Sequence, residues 1–327
     1  MNWKPAYFTI SPNILAVFAD IERLIGRIEG VQLFRATPKL RARNRARSVW
    51  GSTGIEGSTS SIEQIEAIMR GEQVGLSKKE LLEIRNALNA YAKLPTYDPC
   101  SIDSLLTAHA LMMGGGLMLS AGRFRQNSVE VYITENKTRE MPSWKIIPES
   151  IETIFANLRS STEPALLKAI RFHFDFVNLH PFMDGNGRIA RLWQNRLMME
   201  IHPLFEFLDV ESMVFDRREE YYRQIRIGQE SEDIAGFVCF MLEQVRRSLE
   251  FVWKNSAAVA PSQEQRLAIA SEFFKQTVFS RRDYVQLFKT ISAVTASRDL
   301  ASGVKKDLLS RQGDKRTAVY RFHQSMH

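Results

Sequence analysis

The chain has 327 residues, 44% hydrophobic and 25% charged, which is an ordinary globular composition of a length that predicts two or three domains. Cys100 and Cys239 form no metal or disulfide pattern, and the longest apolar run, Gly236 to Leu242, is far shorter than the ~18–20 residues that span a bilayer. We therefore expect no membrane partner, no leader at the N-terminus and a reducing, cytoplasmic location, while the net charge of +7 favours acidic partners.

The first region, residues 1–95, is predicted to be helical. Apolar residues recur there at i, i+4, i+7 and i+11, the spacing of one helix face: Ile14, Phe18, Ile21 and Ile25. Similar stretches follow at residues 62–69 and 81–88. The loop at residues 94–99 holds two prolines and predicts the end of this region.

The second region, residues 96–260, is predicted to be mainly helical with one interruption. Val129, Val131 and Ile133 alternate with polar or amphipathic residues, which predicts a small strand or hairpin. A helix from about Pro164 to Leu179 carries apolar residues on nearly all faces. Such a helix belongs in the centre of a bundle.

The third region, residues 261–327, predicts three helices followed by a hairpin, an order that resembles a winged helix-turn-helix. It carries twelve basic and six acidic residues, so most of the net charge lies here. We expect DNA as a partner, with Thr295, Ser297 and Arg298 on the recognition helix and Lys315 and Arg316 on the wing. The alternative is a protein-docking module or an extension of the core.

The segment 180–191, HPFMDGNGRIAR, combines several parts of a phosphate-binding site. Gly185 and Gly187 let the backbone approach a ligand closely, and the N–H groups at the start of the following helix favour an anion. Arg188 and Arg191 lie about one turn apart on the same face of that helix. The segment therefore predicts a cradle for a triphosphate.

Two further side chains of this segment predict a reaction. Asp184 is a hard oxygen ligand suited to Mg²⁺, which binds one or two carboxylates together with substrate phosphates. A neutral His180 could take the proton from an attacking hydroxyl. Phosphoryl or nucleotidyl transfer needs mostly positioning and charge neutralisation, and these parts supply both.

The segment resembles the signature of the Fic/Doc family, H-x-F-x-D/E-G-N-G-R-x-x-R. Every fixed position is matched: His180, Phe182, Asp184, Gly185, Asn186, Gly187, Arg188 and Arg191. The resemblance implies a mainly α fold: a Fic-type helical bundle with a small β-hairpin flap, an N-terminal helical region and a C-terminal winged helix-turn-helix. It also implies transfer of AMP from ATP to a Ser, Thr or Tyr hydroxyl of a target protein.

The same resemblance assigns roles to residues. His180 is the general base, Phe182 anchors the loop, and Asp184 holds Mg²⁺ between the α- and β-phosphates. The remaining positions hold phosphate oxygens: the amides of Gly185 and Gly187, the Asn186 side chain, and the Arg188 and Arg191 guanidinium groups. The flap, at Val129, Glu130 and Val131, would dock an extended target segment by strand addition.

A second resemblance concerns Ser52-Thr53-Gly54-Ile55-Glu56-Gly57, which matches the family's inhibitory motif S/T-x-x-x-E-G/N at Ser52, Glu56 and Gly57. A carboxylate paired with Arg191 would take the place of the γ-phosphate, since one arginine cannot serve two close anions. We hypothesise that Glu56 inhibits the wild-type enzyme. The alternative is a capped helix with a solvated glutamate.

Several functions stay open at this stage. The same fold could use another nucleotide donor or remove AMP with Glu56 as a base. A DNA-binding regulator, with the Fic core as nucleotide sensor, is the alternative from another class. The sequence leaves open the target protein and whether the chain forms a homo-oligomer.

Overall fold

The computed structural model describes residues 3–30, 38–134, 137–231, 233–257, 262–288, 291–314 and 317–323. The chain divides into two compact units, one formed by Met1–Ile25 and Ala36–Val252, the other by Gly26–Arg35 and Trp253–His327. The boundaries expected after residues 95 and 260 stay predictions, and the loop at 258–261 lies outside the described residues.

Most of the chain up to residue 257 is helical, and a two-stranded hairpin is the exception. The helices are α1 Pro12–Gly30, α2 Pro38–Ile55, α3 Ile62–Met69, α4 Lys78–Ala92, α5 Ile102–Met113, α6 Ile147–Ser160, α7 Ala165–Leu179, α8 Asn186–Met199, α9 Val210–Phe215, α10 Arg218–Ser231 and α11 Ala235–Ala257. The hairpin pairs β1 (Glu130–Thr134) with β2 (Lys137–Glu140) in antiparallel register. The prediction of a mainly α fold with a small hairpin is confirmed. In the described ranges, each helix is too short or too polar to cross a bilayer.

Helix α7 lies inside the bundle, as its apolar residues predict. It begins one residue after Pro164, and it buries Phe172 and Phe176 on one face and Phe174 on the opposite face. Its most extensive packing is against α8, which follows it after a six-residue loop. Burying aromatic side chains of this size gives this helix pair a rigid frame, each side chain stabilising it by ~1.5–3 kcal/mol.

The second unit has its own hydrophobic core. Its elements are α12 Gln263–Phe274, β3 Phe279–Ser280, α13 Arg281–Phe288, α14 Ala293–Lys305, β4 Leu309–Gln312 and β5 Val319–Phe322. The strands form a sheet in the order β3-β5-β4, with antiparallel neighbours. Phe274 stacks on Phe279 with ring centroids 4.0 Å apart, and Arg266 pairs with the buried Asp299. Three helices followed by a hairpin is the predicted order.

The start of α13 is capped by side chains. The Asp283 backbone N–H donates to Ser280 Oγ at 3.3 Å, and the Ser280 N–H donates to Asp283 Oδ2 at 2.8 Å. These reciprocal bonds form a capping box with aspartate in the fourth position. The predicted wing residues Lys315 and Arg316 lie outside the described residues. Kinship with winged helices therefore stays a prediction.

Candidate active site

The loop between α7 and α8 carries the predicted motif, and left-handed backbone conformations lie at both ends. His180 has φ 54°, and its N–H donates to Phe176 O at 2.9 Å. Gly185 has φ 80°, and an added Cβ there would lie 2.7 Å from Met113 Sδ. A left-handed histidine is uncommon and is held in place by the surrounding structure. Glycine is required at 185 by both conformation and space.

The middle of the loop is anchored by Phe182, whose side chain is fully buried. Its ring stacks on His109, with centroids 3.6 Å apart and planes 11° from parallel. The Asn186 side chain bonds both backbone groups of Phe182, accepting from its N–H and donating to its carbonyl, each at 2.9 Å. Asn186 thus fixes the loop here. Its expected role in holding phosphate stays a prediction.

His109 holds the far end of the loop. The Gly122 N–H donates to His109 Nδ1 at 2.8 Å, so the ring proton lies on Nε2, which donates to the Asp184 carbonyl at 3.0 Å. Burial lowers the His109 pKa to about 4, so the ring stays neutral at physiological pH. The sequence offered no spacing that marks this role, because His109 lies seventy-five residues before Asp184.

His180 lines a cavity of this unit as a neutral imidazole. Burial lowers its pKa to about 4, a shift that a backbone hydrogen bond at Val177 only partly offsets. A histidine that is unprotonated at neutral pH can accept a proton from a hydroxyl. The side chain therefore has the protonation state that a general base needs.

Arg191 and Glu56 form an ion pair in the same cavity. Arg191 Nη2 lies 2.6 Å from Glu56 Oε1, and Arg191 also donates to the Ser52 hydroxyl and carbonyl, each at 3.1 Å. Arg191 is 4% exposed, whereas the Glu56 side chain is 35% exposed. Burial alone would lower the Arg191 pKa, but the Glu56 carboxylate raises it, and the net direction is upward. The pair joins the end of α2 to α8.

Gly187 makes room for this pair at the start of α8. An added Cβ there would lie 2.7 Å from Glu56 Oε1 and 3.0 Å from Arg191 Nη1. The carboxylate therefore lies against the first turn of α8, where free backbone N–H groups and the helix dipole favour an anion. Glu56 thus occupies the position in which the sequence predicts a phosphate.

Arg188 and Asp184 form a looser pair beside the loop. Arg188 Nη2 lies 3.4 Å from both Asp184 carboxylate oxygens, and the buried Arg188 Nε has no hydrogen-bond partner among the described residues. The Asp184 side chain is 67% exposed. Within the described ranges no three or more ligating side chains cluster. One exposed carboxylate still fits a Mg²⁺ ion whose other ligands are phosphates and water.

The cavity has a volume of about 690 Å³. Besides His180, Arg191, Glu56 and Gly187, its walls include the hairpin residues Val131 and Tyr132. Helix α10 supplies a further wall that the sequence did not predict: Glu219, Tyr221, Tyr222, Ile225, Arg226 and Gln229. The volume falls within the range of small-molecule sites, about 300–1,000 Å³.

Comparison with known proteins agrees with this geometry. Residues 99–198, which include the hairpin, α7, the loop and most of α8, match the sequence model of the Fic/DOC family. The chain carries a Fic domain. A crystal structure of a Fic family protein from Desulfovibrio desulfuricans is similar over 99% of this chain and 100% of its own, with a TM-score of 0.74 and 29% identity.

Curated relatives are similar over 62–67% of the chain. The chain is 27% identical over 235 residues to "Protein adenylyltransferase Fic" of Nematostella vectensis, covering 67% of this chain and 51% of that protein. It is 30% identical over 219 residues to "Protein adenylyltransferase fic-1" of Caenorhabditis elegans, covering 62% and 40%. The chain thus spans about half the length of these relatives, or less.

The hairpin of the Fic domain contains two of the three residues expected in a docking flap. Glu130 and Val131 lie in β1, and Val129 precedes the strand, where its carbonyl accepts from the Met141 N–H. Arg139 of β2 donates to the Gln229 carbonyl of α10 at 3.1 Å. The hairpin therefore lies beside the cavity and is tied to its α10 wall.

Helix α2, which carries Ser52 and leads to Glu56, packs closely on α9. Gly51 permits this contact, because an added Cβ would lie 2.4 Å from Ser212 N. The Ser48 hydroxyl donates to the buried carboxylate of Glu211 at 3.0 Å, and Arg47 forms an ion pair with Asp209. Burial raises the Glu211 pKa to about 7. No motif in the sequence indicates these polar contacts between α2 and α9.

Proposed function

We propose that the protein transfers AMP from ATP to the hydroxyl of a Ser, Thr or Tyr side chain on a target protein, and that Glu56 restrains this reaction. The observation that carries the proposal is the cavity in which a neutral His180 faces the Arg191–Glu56 pair. The names of the curated relatives support the reaction class.

In this mechanism, His180 accepts the proton of the target hydroxyl while its oxygen attacks the α-phosphorus of ATP. The new bond is a phosphodiester between the target oxygen and AMP, and the bond that breaks joins the α-phosphorus to the bridging oxygen of pyrophosphate. Arg188 and Arg191 bind the oxygens of the leaving pyrophosphate as negative charge develops there. Asp184 would hold Mg²⁺, which supplies further charge neutralisation to the phosphates.

In this proposal, Glu56 inhibits AMP transfer because its carboxylate and the γ-phosphate of ATP compete for Arg191. The guanidinium already bonds the Glu56 carboxylate at 2.6 Å, and a γ-phosphate brought to the same place would face that negative charge. Like charges at close range in a buried site cost several kcal/mol. ATP therefore binds with its phosphates displaced from the pose that in-line attack requires.

The test is label transfer from [α-³²P]ATP and Mg²⁺ to protein, with host lysate present. Wild type, Glu56→Gly and Glu56→Gly/His180→Ala are compared. Strong labelling in Glu56→Gly that is lost without His180 supports transfer, base and restraint together. Label released from pre-labelled protein only when Glu56 is present would instead indicate removal of AMP. Labelling from GTP or CTP alone would indicate another donor.

A second candidate function, duplex DNA binding by the C-terminal unit, is favoured by one observation. A groove of about 690 Å³ between α13, α14 and the sheet is lined by Arg281, Arg282 and Arg311. All three are exposed, and no carboxylate lines this groove in the part of the chain that is described. Arginines in such a groove can neutralise backbone phosphates.

Fluorescence anisotropy with a labelled random duplex tests this second function on the full chain. Arg281→Ala/Arg282→Ala should weaken binding. The matched control is Arg85→Ala/Lys93→Ala, which removes two exposed cations of the first unit. Equal weakening by both pairs would reduce the interaction to net charge and reject a specific groove.

A further inference from the structure

Arg125 lies just before the hairpin, and its buried guanidinium has no carboxylate partner among the described residues. The residue is 2% exposed, and in the described part of the chain no ion pair involves it. A buried charge normally finds either an opposite charge or a full set of hydrogen bonds. Arg125 is stabilised by a set of hydrogen bonds.

All of its acceptors are backbone carbonyls. Nε donates to the His180 carbonyl at 2.7 Å, Nη1 to Asn127 O at 2.9 Å, and Nη2 to Pro142 O at 2.5 Å. A longer contact of 3.5 Å joins Nη2 to Leu179 O. The Arg125 backbone N–H adds a bond to Pro181 O at 2.9 Å. The planar guanidinium group thus bonds backbone carbonyl groups that are far apart in sequence.

These carbonyls belong to two functional segments. Leu179, His180 and Pro181 form the turn that carries the base, and His180 is held there with φ 54°. Asn127 lies before β1 and Pro142 after β2, so Arg125 grips both ends of the hairpin. The hairpin and His180 line the same cavity. Their separation therefore depends in part on the Arg125 side chain, which does not line the cavity.

We infer that Arg125 is a positioning residue that sets the distance between the hairpin and the His180 imidazole. The inference rests on the proposed function, in which the hairpin docks the target and His180 receives its proton. Arg125 touches neither substrate, so its loss changes the alignment of the hydroxyl with the base and leaves the phosphate-binding groups in place. Lysine cannot replace it, because an ammonium lacks the rigid fork that reaches three carbonyls.

The experiment uses the full chain in a Glu56→Gly background. Arg125→Lys and Arg125→Gln are compared with Arg196→Lys, a matched control on α8. Arg196 is also buried and also donates to a backbone carbonyl, that of Tyr97 at 2.6 Å, remote from the hairpin. We measure label transfer at saturating ATP, and the Kd for ATP in the presence of Mg²⁺ by calorimetry.

Both Arg125 variants should lose roughly 10- to 100-fold in transfer rate with an unchanged Kd for ATP, since a displacement near 1 Å has an effect of this size. The control should keep the parent's rate. A parent rate in the Arg125 variants overturns the inference. So does an equal loss of transfer and ATP binding, which would mean that Arg125 only stabilises the fold.

Hydrogen exchange on the wild-type protein, which contains Glu56, tests the role of Arg125 without variants and without an activity measurement. In low denaturant, the His180 amide and the Met141 amide, which bonds Val129 O, should open as one cooperative unit with one free energy. Separate opening overturns the inference. If the Glu56→Gly parent labels no protein, the proposed AMP transfer fails, and this exchange result still decides the role of Arg125.

Discussion

Each of the two units contains a cavity of about 690 Å³ that is lined with arginine. The arginines of the two cavities differ in their burial and in their partners. In the first unit, Arg191 is buried and paired with Glu56 of the same chain. In the C-terminal unit, Arg281 and Arg311 are exposed and face a groove whose lining includes no carboxylate among the described residues. Burial makes the first arginine dependent on exact partners, while solvent screens the second set. Mutations should therefore act strongly in one cavity and weakly in the other.

The largest effect is expected at Arg191. In a Glu56→Gly background, Arg191→Gln should lower label transfer by about 10²–10³-fold, the loss typical of removing one donor to developing charge. The measurement is transfer rate against ATP concentration. A variant with nearly full rate would show that the buried arginine does not bind the leaving phosphates, and the contrast between the cavities would lose its functional meaning.

The next largest effect is expected from a change in the contact between α2 and α9. Gly51→Ala forces a Cβ within 2.4 Å of Ser212 N, and overpacking of this kind costs about 1–3 kcal/mol. We expect a lower free energy of unfolding in urea and more label transfer with Glu56 intact, because α2 shifts away from α9. Gly75→Ala is the control, since an added Cβ there meets nothing within 4 Å. Lower stability with unchanged transfer would show that the Arg191–Glu56 pair does not depend on the contact between α2 and α9.

The effect of pH on the rate of label transfer should be smaller than the effects of the Arg191 and Gly51 variants. Burial lowers the His180 pKa to about 4, so the base stays neutral as pH falls and is protonated only near that value. Transfer by Glu56→Gly should then be flat from about pH 5 to 8, whereas an ordinary histidine with pKa near 6.5 would lose most of its rate by about pH 5.5. ATP binding measured at each pH is the control. A midpoint near 6.5 would contradict the buried environment of His180.

The smallest effect is expected in the exposed groove. Arg281→Ala alone should weaken duplex binding about two- to tenfold at low salt, and the slope of log affinity against log salt should fall by roughly one phosphate contact. Anisotropy at several salt concentrations measures both. A salt-independent loss would mean that Arg281 supports the fold of α13 and does not contact phosphate.

Local patterns in the sequence predicted much of the structure. Apolar residues on nearly all faces predicted that α7 lies in the centre of the bundle, and alternation predicted the hairpin. Each of these signals lies within one element, where neighbouring residues decide the conformation. The motif at residues 180–191 likewise predicted which side chains surround one loop.

Contacts between distant segments could not be predicted in this way. His109 shows no ligand spacing in the sequence, yet it bonds the Asp184 carbonyl and stacks on Phe182. Arg125 bonds carbonyl groups of two segments that are distant in sequence, and the α10 wall of the cavity carries no motif. Such roles depend on which backbone groups the fold leaves without a partner, and a single sequence does not encode that locally.

The end of α2 is held in place as well as its middle. Arg47, Ser48 and Gly51 contact α9, while the Tyr222 hydroxyl donates to the Ile55 carbonyl at 3.2 Å and Ile55 is 4% exposed. The Glu56 side chain, in contrast, is 35% exposed. In the proposed inhibition, the carboxylate can therefore leave Arg191 by rotation of its own side chain, a motion of picoseconds to nanoseconds for exposed residues, while the helix stays folded.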